Sequence, residues 1–163
     1  MRRLLLLLFI VLPVLTAAED WTPIQFLIGE WTGQGAGEPG KSTGAFSFAP
    51  DLQGRILVRK SFAEYPAADG KPASRHDDLL IVYRDEVSHQ LRALYFDSEG
   101  HVIPYAVQTI TNGVVFTSEN GREAARYRLT YTSVSADRMK MKFEVASPGR
   151  GLATYLDAEM RRN

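Results

Sequence analysis

The chain is written in short runs of alternating apolar and polar residues. Over residues 44–48, Phe46 and Phe48 alternate with small side chains, and over 55–65 the row Ile56, Val58, Lys60, Phe62 alternates with Arg55, Leu57, Arg59, Ser61. A period of two is the mark of a β-strand, because successive side chains leave the backbone on opposite faces. The same texture covers residues 31–35, 79–84, 91–97, 102–110, 114–118, 126–132, 139–146 and 152–160, about ten predicted strands in all. Turn chemistry separates them, as in Pro50-Asp51-Leu52-Gln53-Gly54, Asp97-Ser98-Glu99-Gly100, Thr111-Asn112-Gly113 and Ser147-Pro148-Gly149. Only residues 20–28 break the pattern. Asp20 is a possible cap, Pro23 suits a first turn, and Trp21, Ile24, Leu27 and Ile28 have helical spacing, which predicts a short helical turn leading into the first strand.

These turns are too short for crossover helices, so successive strands must run antiparallel. Ten strands in up-and-down order hide their edges best by closing on themselves. The predicted fold is therefore all-β, an up-and-down antiparallel β-barrel of the lipocalin or calycin type, with a two-sheet sandwich as the alternative. A ten-stranded closure is wider than an eight-stranded one, so an internal ligand cavity is expected.

Composition changes this picture at one end. The chain has 163 residues, 45% of them hydrophobic, with 19 basic against 19 acidic side chains and no cysteine. Arg2 and Arg3 precede the apolar run 4–12, then Pro13 and the small group Thr16, Ala17, Ala18, which predicts a secretory signal over 1–18 cleaved after Ala18. The run is shorter than the roughly 20 residues of a spanning helix, so no membrane anchor is expected after cleavage and the location is periplasmic or secreted. Residues 19–163 then form one domain with 17 basic and 19 acidic side chains. Near-neutral charge without a basic block excludes a nucleic-acid partner. The lack of cysteine removes thiol catalysis, and a disulfide-free exported domain must rely on its core.

The segment Phe26-Leu27-Ile28-Gly29-Glu30-Trp31-Thr32-Gly33-Gln34-Gly35 resembles the opening motif of the nitrobindin and fatty-acid-binding-protein-like calycin barrels. The resemblance implies a helical turn that closes one barrel end, with Phe26, Gly29, Trp31 and Gly33 as the closing set. Glycines allow close backbone approach, and a tryptophan fills a barrel base. The strand count and order that follow also fit, and 51–55, 95–97 and 100–101 are similar to an exported bacterial branch of such barrels. Nitrobindins carry haem through a histidine near the C-terminus; residues 151–163 contain none, so that ligand does not transfer, haem is not expected and any cofactor is left unassigned.

Candidate chemistry falls into two groups. His76, Asp77, Asp78, Asp97, Glu99 and His101 are brought by up-and-down topology to one barrel rim, and His76, Asp97 and His101 are the right types for a divalent metal or for acid-base work. Ordinary turn chemistry is the simpler reading of the same residues. The second group is a lumen wall. Met139, Met141, Phe143 and Val145 share one face, continued by Leu152, Thr154, Leu156 and Met160, and Tyr95 and Tyr105 add aromatic positions. On 126–132, Arg126 and Arg128 face one way, Tyr127 and Tyr131 the other. Inward arginines would clamp a carboxylate, whereas outward arginines would leave the tyrosines lining the lumen, the arrangement that spares a buried charge. Arg55, Arg59 and Lys60 are similarly ambiguous. No nucleophile elbow, Walker loop or spaced zinc motif occurs, so enzyme activity has no positive support. The expected partner is a small hydrophobic or amphipathic molecule, sequestered or carried in the lumen. The alternatives are a metal-assisted enzyme at the histidine rim and a non-catalytic structural or interaction barrel.

Overall fold

The computed structural model describes residues 18–163 except 69, 71, 122 and 123; the predicted leader, through Ala17, lies outside the described residues. A 3-10 segment, Thr22–Leu27, leads into ten strands: β1 (Gly29–Gly37), β2 (Ser42–Asp51), β3 (Ile56–Tyr65), β4 (Ser74–Arg84), β5 (Leu91–Asp97), β6 (Val102–Ile110), β7 (Gly113–Ser118), β8 (Arg126–Ser135), β9 (Arg138–Ala146) and β10 (Ala153–Arg162). Each strand pairs antiparallel with its sequence neighbours, and β1 pairs with β10 to close the barrel. The fold is thus an up-and-down calycin-like barrel and not a sandwich.

One end of the barrel is sealed. The amide of Thr22 donates to Asp20 Oδ1 at 2.9 Å, which starts the 3-10 turn, and Ile24 and Leu27 are fully buried beneath it. Trp31 donates its indole N–H to the Leu27 carbonyl at 2.9 Å and stacks on Phe46. Arg162 lies over the indole face at 4.2 Å and donates to the Phe26 carbonyl at 3.0 Å, joining the last strand to the seal. The small residues have concrete reasons. Gly29 has φ +128°, which an L side chain resists, and a Cβ at Gly33 would run into the Glu159 carbonyl of β10.

Two expected face assignments change. The strand predicted over 79–84 begins five residues earlier, at Ser74, which carries His76 and Asp78 inward in phase with Leu80 and Val82. On β10 the register shifts between Thr154 and Leu156. Thr154 therefore pairs with Glu144 on the outer face, while Leu156, Ala158 and Met160 face the lumen. A bulge inserts one residue and reverses every side chain before it.

Candidate functional site

The lumen is divided by a polar crossbar. On β3 the inward row is Leu57, Arg59, Ser61, Ala63, so the Arg59 side chain, 4% exposed, enters the barrel. Its guanidinium pairs with Asp78 on the adjacent β4 and donates to the Tyr131 hydroxyl on β8. In a ring of ten, β3 and β8 are opposite each other, so this contact spans the lumen. Towards the sealed end of the bar, Phe46, Phe48, Phe116 and Tyr131 pack edge to face with centroids 5.6–6.1 Å apart. Towards the other end is a cavity of about 530 Å³.

Burial alone would lower the tendency of Arg59 to hold its proton, but the Asp78 carboxylate and the Tyr131 oxygen outweigh it and hold the guanidinium firmly charged. Burial likewise pushes the Tyr95, Tyr105 and Tyr131 hydroxyls well above the usual phenol range. All three are therefore hydrogen-bond donors at neutral pH. Arg59 Nε is buried and has no hydrogen-bond partner among the described residues. The bar thus carries more donors than the protein accepts.

Above the bar, the wall is aromatic and thioether. Tyr127 and Phe143 stack at 6.0 Å, and Tyr155, at the β10 bulge, meets Phe143 edge-on at 6.0 Å. Of the predicted lumen residues, Tyr95, Tyr105, Tyr127, Met141 and Phe143 line the cavity. Tyr131 and Met139 are buried in the packed half, at 0% and 1% exposure.

The arginine face of β8 is the outer face. Arg126 donates to the Arg150 carbonyl, and Arg128 holds Glu144 of β9 through two bonds of 2.6 and 2.9 Å. Neither lines the cavity, which corrects the inward-clamp alternative: an outward guanidinium keeps its hydration, and Asp78, which could meet one inside the lumen, is already paired with Arg59. The hydrogen bond from Arg128 holds the Glu144 carboxyl below its ordinary range. Its contribution to stability is complete above the ordinary carboxyl range, near pH 4.5, and is lost as pH falls through the lowered value. Arg128→Ala is expected to cost about 1–3 kcal/mol, because the guanidinium is itself exposed but its removal leaves the Glu144 carboxylate, 8% exposed, with only Lys142 beside it at 3.6 Å. Thermal midpoints taken from pH 7 down to pH 3 should fall less steeply in this variant than in the parent.

At the mouth the structure brings the histidine rim together. His76 Nδ1 lies 2.9 Å from Glu99 Oε1 and its Nε2 lies 2.9 Å from the Tyr95 hydroxyl. Asp97 Oδ1 accepts the backbone N–H groups of Glu99 and His101, and its Oδ2 meets His101 Nδ1 at 2.8 Å. Burial would raise the Asp97 carboxyl, but these bonds hold it below its usual range. Asp77 points outward to Arg75 instead. Of Arg55, Arg59 and Lys60, which sequence reasoning leaves without a side, Arg59 is the one that enters the lumen. Its only local signal is that it lies in phase with Leu57, which is fully buried.

The lumen face of β9 and β10 carries Met139, Met141, Phe143, Leu156, Ala158 and Met160. No imidazole stands there, so a haem held from the C-terminal strands does not fit this residue set.

The class defined by this architecture is the ten-stranded calycin-like barrel. The chain is similar in fold to the crystal structure of Rv2717c from M. tuberculosis, with a TM-score of 0.63 and 14% identity over 90% of this chain and 99% of that one. It is also similar to the S-type phycobiliprotein lyase CPES from Guillardia theta, with a TM-score of 0.53 and 10% identity over 85% of this chain and 89% of that one. At such identities the likeness concerns the fold. No protein-family model and no curated protein sequence matches the chain.

Proposed function

We propose that this is an exported carrier or scavenger, of the nitrobindin-like and fatty-acid-binding-protein-like branch, that takes one small apolar or amphipathic molecule into the upper lumen. The observation that carries this is the cavity of about 530 Å³ inside the barrel, floored by the Arg59–Tyr131 bar. Its size falls within the range of small-molecule sites, and its build follows their usual rule of apolar walls with a few placed polar groups. Burial against Tyr127, Met141 and Phe143 supplies affinity. The surplus donors of Arg59 and Tyr105 orient an oxygen-bearing end of the ligand downward, and because Asp78 already balances Arg59, that oxygen need not be charged.

Native mass spectrometry of the protein purified from its own host is expected to show a retained small molecule, and thermal shifts should appear across a panel of fatty alcohols, aldehydes and acids. Ala63 lines the cavity from β3, and Ala63→Phe narrows the space without touching the packed half. This variant should keep its fold and lose the shift. No retained molecule together with a flat panel would overturn the proposal. Export is tested separately, by N-terminal sequencing of the protein from its host, where a start at Glu19 is expected and a start at Met1 would reject it.

A further inference from the structure

We infer that the mouth of the barrel carries a site for one first-row divalent metal ion, held by His76 Nδ1, Asp97 Oδ2, Glu99 and His101 Nδ1. This goes beyond lumen binding and does not depend on it. The ligating atoms of His76, Asp97 and Glu99 all lie within 4.8 Å of one another. His101 Nδ1 adds a fourth donor, 2.8 Å from Asp97 Oδ2 and 3.8 Å from Glu99 Oε2. A tetrahedral ion with bonds of about 2 Å holds its ligand atoms about 3.3 Å apart, and three of the six donor pairs, His76–Glu99 at 2.9 Å, His101–Asp97 at 2.8 Å and His101–Glu99 at 3.8 Å, bracket that value. Two carboxylates and two neutral imidazoles also cancel the charge of a dication. The mixed nitrogen and oxygen set suits zinc and its neighbours better than magnesium, which takes oxygen donors.

A hairpin turn does not need this much. Asp97 Oδ1 alone accepts the two turn amides, and those bonds fix the carboxylate so that Oδ2 is aimed at His101. Glu99 and His76 meet across from the hairpin to β4, a contact the turn does not use.

The surroundings supply the outer support that metal-binding histidines usually have. His76 offers its other nitrogen to the Tyr95 hydroxyl at 2.9 Å, with Asp78 Oδ2 at 3.9 Å. Coordination through Nδ1 places the ring proton on Nε2, where it is donated to Tyr95. The Tyr95 proton is then released toward the cavity, so the ion sets the orientation of one lumen donor. Access is open: His101 and Glu99 side chains are 54% and 59% exposed.

The test is titration of the chelator-treated full protein with zinc by calorimetry, and with cobalt(II) by visible absorption. One ion per chain is expected, with the intense cobalt band of a tetrahedral site. His76→Gln with His101→Gln should weaken zinc by more than the 10–100-fold that loss of an outer partner costs, and Tyr95→Phe by about 10-fold. Glu99→Gln, at an exposed position, gives a ligand variant that leaves the core alone and should also lose at least about 10-fold. His89→Gln, in the turn between β4 and β5 at the sealed end, should bind as the parent does. Zinc binding weaker than about 1 mM, or affinity unchanged in the double histidine variant and in Glu99→Gln, overturns the site.

Discussion

Arg59→Met is expected to destabilise the barrel by about 3–5 kcal/mol in urea titrations, because it leaves Asp78 buried and unpaired. The Asp78 side chain is 8% exposed, too little for water to take over from the guanidinium. The companion measurement separates the pair from its parts. Arg59→Met combined with Asp78→Leu removes both charges, and it should recover most of the loss, since a buried ion pair replaced by apolar groups of similar volume is often neutral or stabilising. Tyr131→Phe, which deletes only the far acceptor, should cost about 1 kcal/mol. A single-variant cost below about 1 kcal/mol would mean that Asp78 finds water after all. The crossbar would then not be the rigid floor on which the lumen proposal stands. The pair is costly as architecture, and a donor-bearing floor beneath an open cavity is the use that accounts for it.

Trp31→Ala is the second large effect, about 3–5 kcal/mol, or a fall of roughly 10–20 °C in thermal midpoint for a domain of this size. Trp31 is 1% exposed, and three elements converge on it: the 3-10 turn through the Leu27 carbonyl, β2 through Phe46, and β10 through Arg162. Removing the indole opens a cavity at the seal and releases the contact that joins the first and last strands. The chain has two tryptophans, and Trp21 donates to the Gly54 carbonyl from the same end. Trp31→Phe should therefore keep most of the stability while losing the more buried of the two emission signals. An Ala variant that melts within a few degrees of the parent would show that the 3-10 segment seals the barrel without its plug.

The strand ladder was legible because period two is imposed by backbone geometry and does not depend on partners. The clearest strands were those with one wholly apolar face, such as β9 with Met139, Met141 and Phe143. Strand β3 was harder. Ile56, Val58 and Phe62 make its outer face the more apolar one, and the structure covers Phe62 with Arg75, whose guanidinium lies 4.1 Å from the ring. The early start of β4 was missed for a related reason. His76 and Asp78 are polar, so hydrophobic alternation faded just where the strand turns from packed wall to site. The rim of His76, Asp97 and His101 was found from topology, since the ends of β5 and the starts of β4 and β6 share one end of an up-and-down barrel. Its hydrogen-bond pairing, His76 with Glu99 and His101 with Asp97, is not legible there.

Read alone, the sequence determines the number of strands, their antiparallel order, the short helical turn before the first strand, and that His76 and His101 fall at one end of the barrel. Each follows from short-range rules: side-chain alternation, turn composition and the length of connections. Only the tertiary structure decides that Arg59 points inward, that Arg126 and Arg128 point out, and that Tyr155 shifts the face of β10. The free energy of a buried charge depends on what meets it, and the partners of Arg59 stand on β4 and on β8 across the lumen, at sequence separations of 19 and 72 residues. No local pattern encodes a contact that exists only once the barrel has closed.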